Sequence, residues 1–166
     1  MPGKTLLTSN RSRLKATFSR IESLSIEDLE TRSDFARYLC VLVSGFVETA
    51  VSELAIEYCK MCSSPAVSNY VQSQLTHLQN VKAERLLQLV GSFNPQWRTE
   101  LEVYIDGSRK DALDSVVDLR NKIAHGESVS VTYIRIKEYY KNIDEIIDFL
   151  EVRFEYDVAK NKPLKK

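Results

Sequence analysis

Between Phe35 and Tyr58 the apolar residues Phe35, Tyr38, Leu39, Leu42, Val43, Phe46, Val47, Val51, Leu54, Ala55 and Tyr58 recur every three or four positions. That is the period of an α-helix. A strand turns alternate residues to opposite faces, so it could not gather this set on one side. The stripe is wide, as expected of a central helix packed on several neighbours, and Ser33 is placed to cap it. The other segments have to be read around this helix.

They carry the same period. Leu14, Phe18 and Ile21 mark a first helix over about 9–24, and Tyr70, Val71, Leu75 and Leu78 a third segment that breaks near Asn80. Ser64-Pro65 and Asn94-Pro95 each read as a cap residue followed by proline in the first turn. Asp106-Gly107 is a turn, and Gly126 stands where a glycine ends a helix that begins at Ser108. Val129 to Thr132 reads as a loop leading to a cap at Thr132. The last helix carries Ile136, Tyr139, Ile143, Ile147, Leu150 and Phe154, with Tyr139 facing the core. The few glycines and prolines, 5 and 4, mark breaks between periodic segments. The expected fold is all-α: a single up-and-down bundle of four to five main helices plus short ones. It forms one domain over 1–166, with flexible basic ends at about 1–8 and 158–166.

The chain has 166 residues, enough to bury a core without disulfides or metals. Its three cysteines are therefore expected to be free thiols in a reducing, cytoplasmic setting. No apolar leader and no run of about 18 uninterrupted apolar residues is visible, so no membrane partner is expected. Charge is balanced, 23 basic against 23 acidic residues, which removes the usual argument for non-specific nucleic-acid binding. Any RNA contact has to come from a local patch. Lys4, Arg11, Arg13, Lys15 and Arg20 form one such patch, without an acid among residues 1–20, and the tail at 160–166 forms another.

One segment combines groups that can do chemistry. Arg120-Asn121-Lys122-Ile123-Ala124-His125-Gly126 gathers a phosphate-binding guanidinium, an amide and an imidazole at one helix end. Asn121 and His125 are four apart, so their side chains can meet, and the long side chain of Arg120 can swing to the same groove. RNA carries its own nucleophile, the 2′-hydroxyl, and its cleavage needs proton transfer and charge stabilisation without a metal. Imidazole suits the first task and a planar guanidinium the second. An Arg-x₄-His pair alone is nevertheless a weak signal, and His-Gly is also an ordinary helix ending.

The whole string is more specific. It resembles the R-N-x-x-A-H-G form of the motif of the HEPN superfamily, in small prokaryotic stand-alone domains of the RiboL-PSP-HEPN and MAE-type branches. Val43-Ser44-Gly45-Phe46-Val47-Glu48 resembles the family's aa-F-x-E helix, and the likeness spans about 35–154. It implies a bundle that dimerises so that two motifs face one cleft. It also implies a metal-independent endoribonuclease that leaves a 2′,3′-cyclic phosphate, in toxin–antitoxin, anti-phage or RNA-processing systems. On this resemblance Arg120 and His125 are catalytic and Asn121 is the polar residue beside the arginine. Glu48 matches an acidic near-site position and Lys122 lies within the motif. Tyr133, which follows the motif, is a candidate for stacking a base at the cleft edge. The expected partners are RNA, a second copy and an antitoxin or regulator, with no cofactor. Family members that keep the fold without cleavage leave a second reading open, a non-catalytic dimerisation or adaptor module.

Other signals are thinner. Cys59-Lys60-Met61-Cys62 has the C-x-x-C spacing, but zinc needs about four ligands and only Cys40 and His77 could add to it. His77 lies in a polar stretch and reads as a surface residue. No phosphate-binding loop, dinucleotide fingerprint or nucleophile elbow is present.

Overall fold

In a computed structural model that describes residues 2–161, side chains from 6 to 160, the apolar stripe becomes one 34-residue helix. The order is α1 (Pro2–Glu22), α2 (Leu29–Cys62), α3 (Pro65–Leu75), α4 (Ala83–Phe93), α5 (Pro95–Ile105), α6 (Ser108–Ala124) and α7 (Tyr133–Asn161). The described residues contain helices and no strand, so the all-α expectation holds. α2 packs against α1, α3, α6 and α7. Ala36, Leu39, Cys40, Val43, Val47, Ala50, Val51 and Ala55 vanish from solvent along it. Its length and mean hydropathy would also suffice to cross a bilayer, although half of its most apolar window is buried in the bundle. The expectation from uninterrupted apolar runs missed this, because small polar residues interrupt the run without lowering its average much.

Capping chemistry, not the apolar period, sets where α2 begins. Asp28 Oδ2 accepts the Thr31 backbone N–H at 2.7 Å and the Thr31 hydroxyl at 2.6 Å. The helix therefore starts before the stripe, with Leu29 exposed. Ser33, the expected cap, lies inside the helix, where its hydroxyl accepts a bond from Arg37 Nη2 at 3.0 Å. Ser64 and Asn94 cap α3 and α5 as the cap–proline signals imply. Thr132 Oγ1 accepts the Arg135 N–H at 3.2 Å to open α7. Gly107 takes a φ of 79° between α5 and α6. Two other glycines do not mark breaks: Gly45 and Gly91 sit within α2 and α4.

α2 and α7 run parallel, with α1 antiparallel to both. One level is set by Phe18, Phe46 and Tyr140, whose rings meet at 5.1 Å (Phe18–Tyr140) and 5.9 Å (Phe46–Tyr140). Tyr140 is thus the buried tyrosine, while Tyr139 is half-buried. Both spacings from Ile136 are helical, and only the packing partners separate them. At the far end Tyr58, Phe93, Trp97 and Phe154 pack mostly edge to face, 5.2 to 5.7 Å apart. Pairs of this kind contribute roughly 0.5–1.5 kcal/mol each beyond area burial, and they lock α4 and α5 onto α2 and α7.

Helix extends into both basic ends among the described residues. α1 starts at Pro2 and buries Leu7, and α7 buries Val158. An apolar residue at each end gives it something to pack, which a charge count overlooks; residues 162–166 of the expected basic tail lie outside the described residues.

Phe154→Ala should lower unfolding free energy by about 3–5 kcal/mol, read from urea denaturation, because it empties the centre of the four-ring cluster. Asp28→Ala should destabilise at neutral pH. Thr31's hydroxyl and N–H hold the Asp28 carboxyl below the ordinary carboxylate range. Its contribution is therefore present above that range and lost as pH falls through the depressed value. The gap in melting temperature between parent and variant should close in acid.

Candidate functional site

α6 carries the motif, and neighbours hold its first three turns firmly. Leu113, Val116 and Val117 are buried, and the thiol of Cys40 donates to the Val116 carbonyl at 3.6 Å. On the other side Asp114 Oδ1 accepts the Ala83 N–H at 2.7 Å, completing an α4 start at which Lys82 makes no side-chain cap. Lys82 Nζ meets Asp118 Oδ1 at 2.6 Å. Beyond Asp118 the burial declines: Leu119, Arg120, Asn121 and Ile123 are half-buried, and Lys122, Ala124 and His125 are exposed. The motif is the emergent tip of an otherwise embedded helix.

A specific turn ends that helix. His125 is the C-cap, with φ −87° and ψ 5°, and its backbone N–H donates to the Asn121 carbonyl. Gly126 N–H donates to Ile123 O at 3.1 Å and Glu127 N–H to Lys122 O at 3.0 Å. These two bonds, with Gly126 at φ 74°, make a Schellman motif. Three terminal carbonyls are thereby satisfied, which reduces the negative potential that an approaching phosphate would meet.

The three motif residues are not equally associated. Arg120 Nη1 donates to Asn121 Oδ1 at 3.1 Å, so the guanidinium and amide form one unit. The expected meeting of Asn121 and His125 side chains does not occur as a hydrogen bond. The amide oxygen is taken by Arg120, and His125 has left helical geometry at the cap. Its imidazole is exposed and unbonded among the described residues. Arg120 and Lys122 have no carboxylate partner there either.

The supporting candidates are more scattered. Glu48 Oε1 accepts the Asn80 N–H at 2.9 Å, where the chain crosses from α3 to α4 with Asn80 at φ 55°. Cys40 and Val116 are level, and α2 and α6 run antiparallel. Glu48 lies two turns beyond Cys40, about 12 Å along the axis, while Arg120 lies a turn beyond Val116 the other way. Within one copy they are therefore apart. Tyr133 donates its hydroxyl to the Phe18 carbonyl at 3.2 Å and packs its ring 6.0 Å from Phe18. It is a strut between α7 and α1, and burial pushes its phenol above the ordinary tyrosine value.

Part of the N-terminal basic patch is paired, while Arg13 and Arg20 are exposed. Arg11 pairs with Asp144 at 2.7 Å and Asp148 at 2.8 Å, and Lys15 pairs with Asp144 at 3.1 Å. The acids of α7 thus neutralise part of the cationic surface that the sequence displays. Of the cysteines, Cys59 is buried and Cys62 exposed. Burial pushes both thiols up from their ordinary value, and that of Cys40 to about 12, which leaves them poor nucleophiles. His77 is exposed. Sequence reasoning missed Asp114 and Asp118, which anchor α6 to α4. Their partners lie more than 30 positions away, and no local pattern announces such a pair.

A family model described as RiboL-PSP-HEPN matches residues 7–156. No curated protein and no solved structure matches the chain.

Gly126→Ala should cost about 1–2 kcal/mol, because the Schellman turn needs a left-handed residue. Asn tolerates that conformation, so Gly126→Asn should cost less. Thermal unfolding of the two variants checks the order.

Proposed function

The chain belongs to the RiboL-PSP-HEPN family, and on that premise we propose that it is a metal-independent endoribonuclease acting as a homodimer in the cytoplasm. The observation that carries this reading is the tip of α6. There an Arg120–Asn121 unit, with no carboxylate partner among the described residues, shares a helix end with an exposed imidazole on a carbonyl-capped turn.

The chemistry follows from the groups. The 2′-hydroxyl oxygen bonds to the adjacent phosphorus as the bond from phosphorus to the 5′-oxygen breaks, leaving a 2′,3′-cyclic phosphate and a 5′-hydroxyl. One proton leaves the 2′-hydroxyl and one arrives at the 5′-oxygen. A single imidazole is badly placed to serve both sides of the phosphorus, and two copies supply two His125 side chains, one as base and one as acid. Arg120 binds the non-bridging oxygens and stabilises the charge that develops on them. Asn121 holds the guanidinium through its amide oxygen. Such an enzyme fits a toxin or defence effector, with an antitoxin or regulator restraining it.

One observation favours a second reading, a non-catalytic dimerisation or adaptor module: among the described residues of one copy nothing hydrogen-bonds the His125 imidazole to orient it.

A cleavage assay on total cellular RNA in excess EDTA separates the two. The parent should cleave and leave cyclic-phosphate ends, and Arg120→Ala and His125→Ala should each lose roughly 100-fold or more in rate with unchanged circular dichroism. Equal cleavage by parent and both variants overturns the assignment. A folded, dimeric parent that leaves every RNA intact favours the adaptor.

A further inference from the structure

A hollow of about 590 Å³ opens between the end of α1, the α1–α2 connection, the first turns of α2 and the segment that joins α6 to α7. Its volume falls in the range of small-ligand sites. Ile21, Val131, Phe35 and Ile26 contribute walls, and Ile21 and Val131 belong to the buried core. The hollow thus reaches down to the core and is not a shallow face. Leu24, Leu29 and Ile134, exposed by 46%, 76% and 77%, also line it. Single exposed apolar residues are ordinary, but three around one opening are not. A flat partner helix would cover those three and leave the space beneath them empty. A ligand with an apolar body fills both.

The charged groups on the lining say what its head should be. They are Glu22 and Arg32. Glu22 is neutralised by Lys137, whose ammonium meets both carboxylate oxygens at 2.8 and 3.0 Å. Arg32 has no carboxylate partner among the described residues. Its Nε donates to the Ile26 carbonyl, which holds the side chain against the α1–α2 connection and leaves both terminal nitrogens free. A guanidinium fixed at one nitrogen and open at two is prepared for a carboxylate or a phosphate. Ser33 and Ser130 add hydroxyls to the same wall.

We propose that this hollow binds a small amphipathic anion, its apolar body against Ile21, Phe35 and Val131 and its carboxylate or phosphate on Arg32. Ser130, Val131, Thr132 and Tyr133 form part of the site and follow His125 closely in the chain. Occupancy therefore stiffens the connection from the motif to α7. The binding itself is independent of any activity on RNA.

Titration calorimetry and thermal unfolding of the purified chain with decanoate, decyl phosphate and 1-decanol, all below micellar concentration, test it. At least one anion should bind saturably, one per chain, and raise the melting temperature. Decanol should bind more weakly. Arg32→Gln should weaken the anions roughly tenfold and leave decanol unchanged. Arg32→Lys, which keeps the charge without the fork or the Nε bond to Ile26, should bind the anions with an affinity between those of the parent and Arg32→Gln. This separates loss of charge from a disturbed connection. Ile134→Glu, at an exposed position, should weaken all three probes. A preference for decanoate or for decyl phosphate identifies the head group. Absence of saturable binding by any probe, decanol matching the anions, or undiminished anion binding by Arg32→Gln would overturn the proposal.

Discussion

Everything in this bundle is arranged around the need of α2 to bury an apolar stripe that continues for most of its 34 residues. No single partner helix can cover so wide a face, so α1, α3, α6 and α7 share it. Small residues at Ala36, Ala50 and Ala55 let these neighbours approach closely, and larger ones at Leu39, Val43 and Phe46 fill the space between them. The remaining helices then follow as pairs. α4 and α5 cannot cover themselves, and the ring cluster on Tyr58 and Phe154 gives them a place to dock. Burial along α2 thus sets the level of every element that positions the motif.

The motif benefits from a contrast between base and tip. Through Cys40, Ala83 and Lys82, α6 is tied to two other helices, and its last turn then leaves the bundle. A reactive group gains from this arrangement, because its backbone is rigid while its side chain remains reachable. The Schellman bonds complete it by satisfying carbonyls that would otherwise repel a phosphate. Charge is distributed in the same sense. Arg11 and Lys15 are engaged by the acids of α7, whereas Arg120 and Lys122 have no acid partner among the described residues. A chain of zero net charge can in this way still offer a local site for an anion.

Much of the fold was legible because it depends on local rules. The stripe of α2, the cap–proline pairs at Ser64-Pro65 and Asn94-Pro95, the Thr132 cap and the Gly126 stop all act within a few residues and appear in the structure. The errors were equally physical. Ser33 lost the N-cap to Asp28, whose carboxylate engages both donors of Thr31. Tyr139 and Tyr140 both fit the helical period, and Phe18 and Phe46 decided between them. Apart from these, Glu48 and Tyr133, grouped with the motif by resemblance and sequence proximity, bond within one copy to the Asn80 N–H and the Phe18 carbonyl.

The sequence by itself determined the helical class, most helix ends and the stretch that holds the motif, since periodicity and capping are properties of neighbours along the chain. The tertiary structure alone decided that Arg11 and Lys15 pair with the acids of α7, that Tyr140 rather than Tyr139 is buried, and that a hollow opens beside Arg32. Those outcomes depend on side chains brought together from distant positions. Coulomb attraction and packing act across space, and no local pattern in the sequence records them.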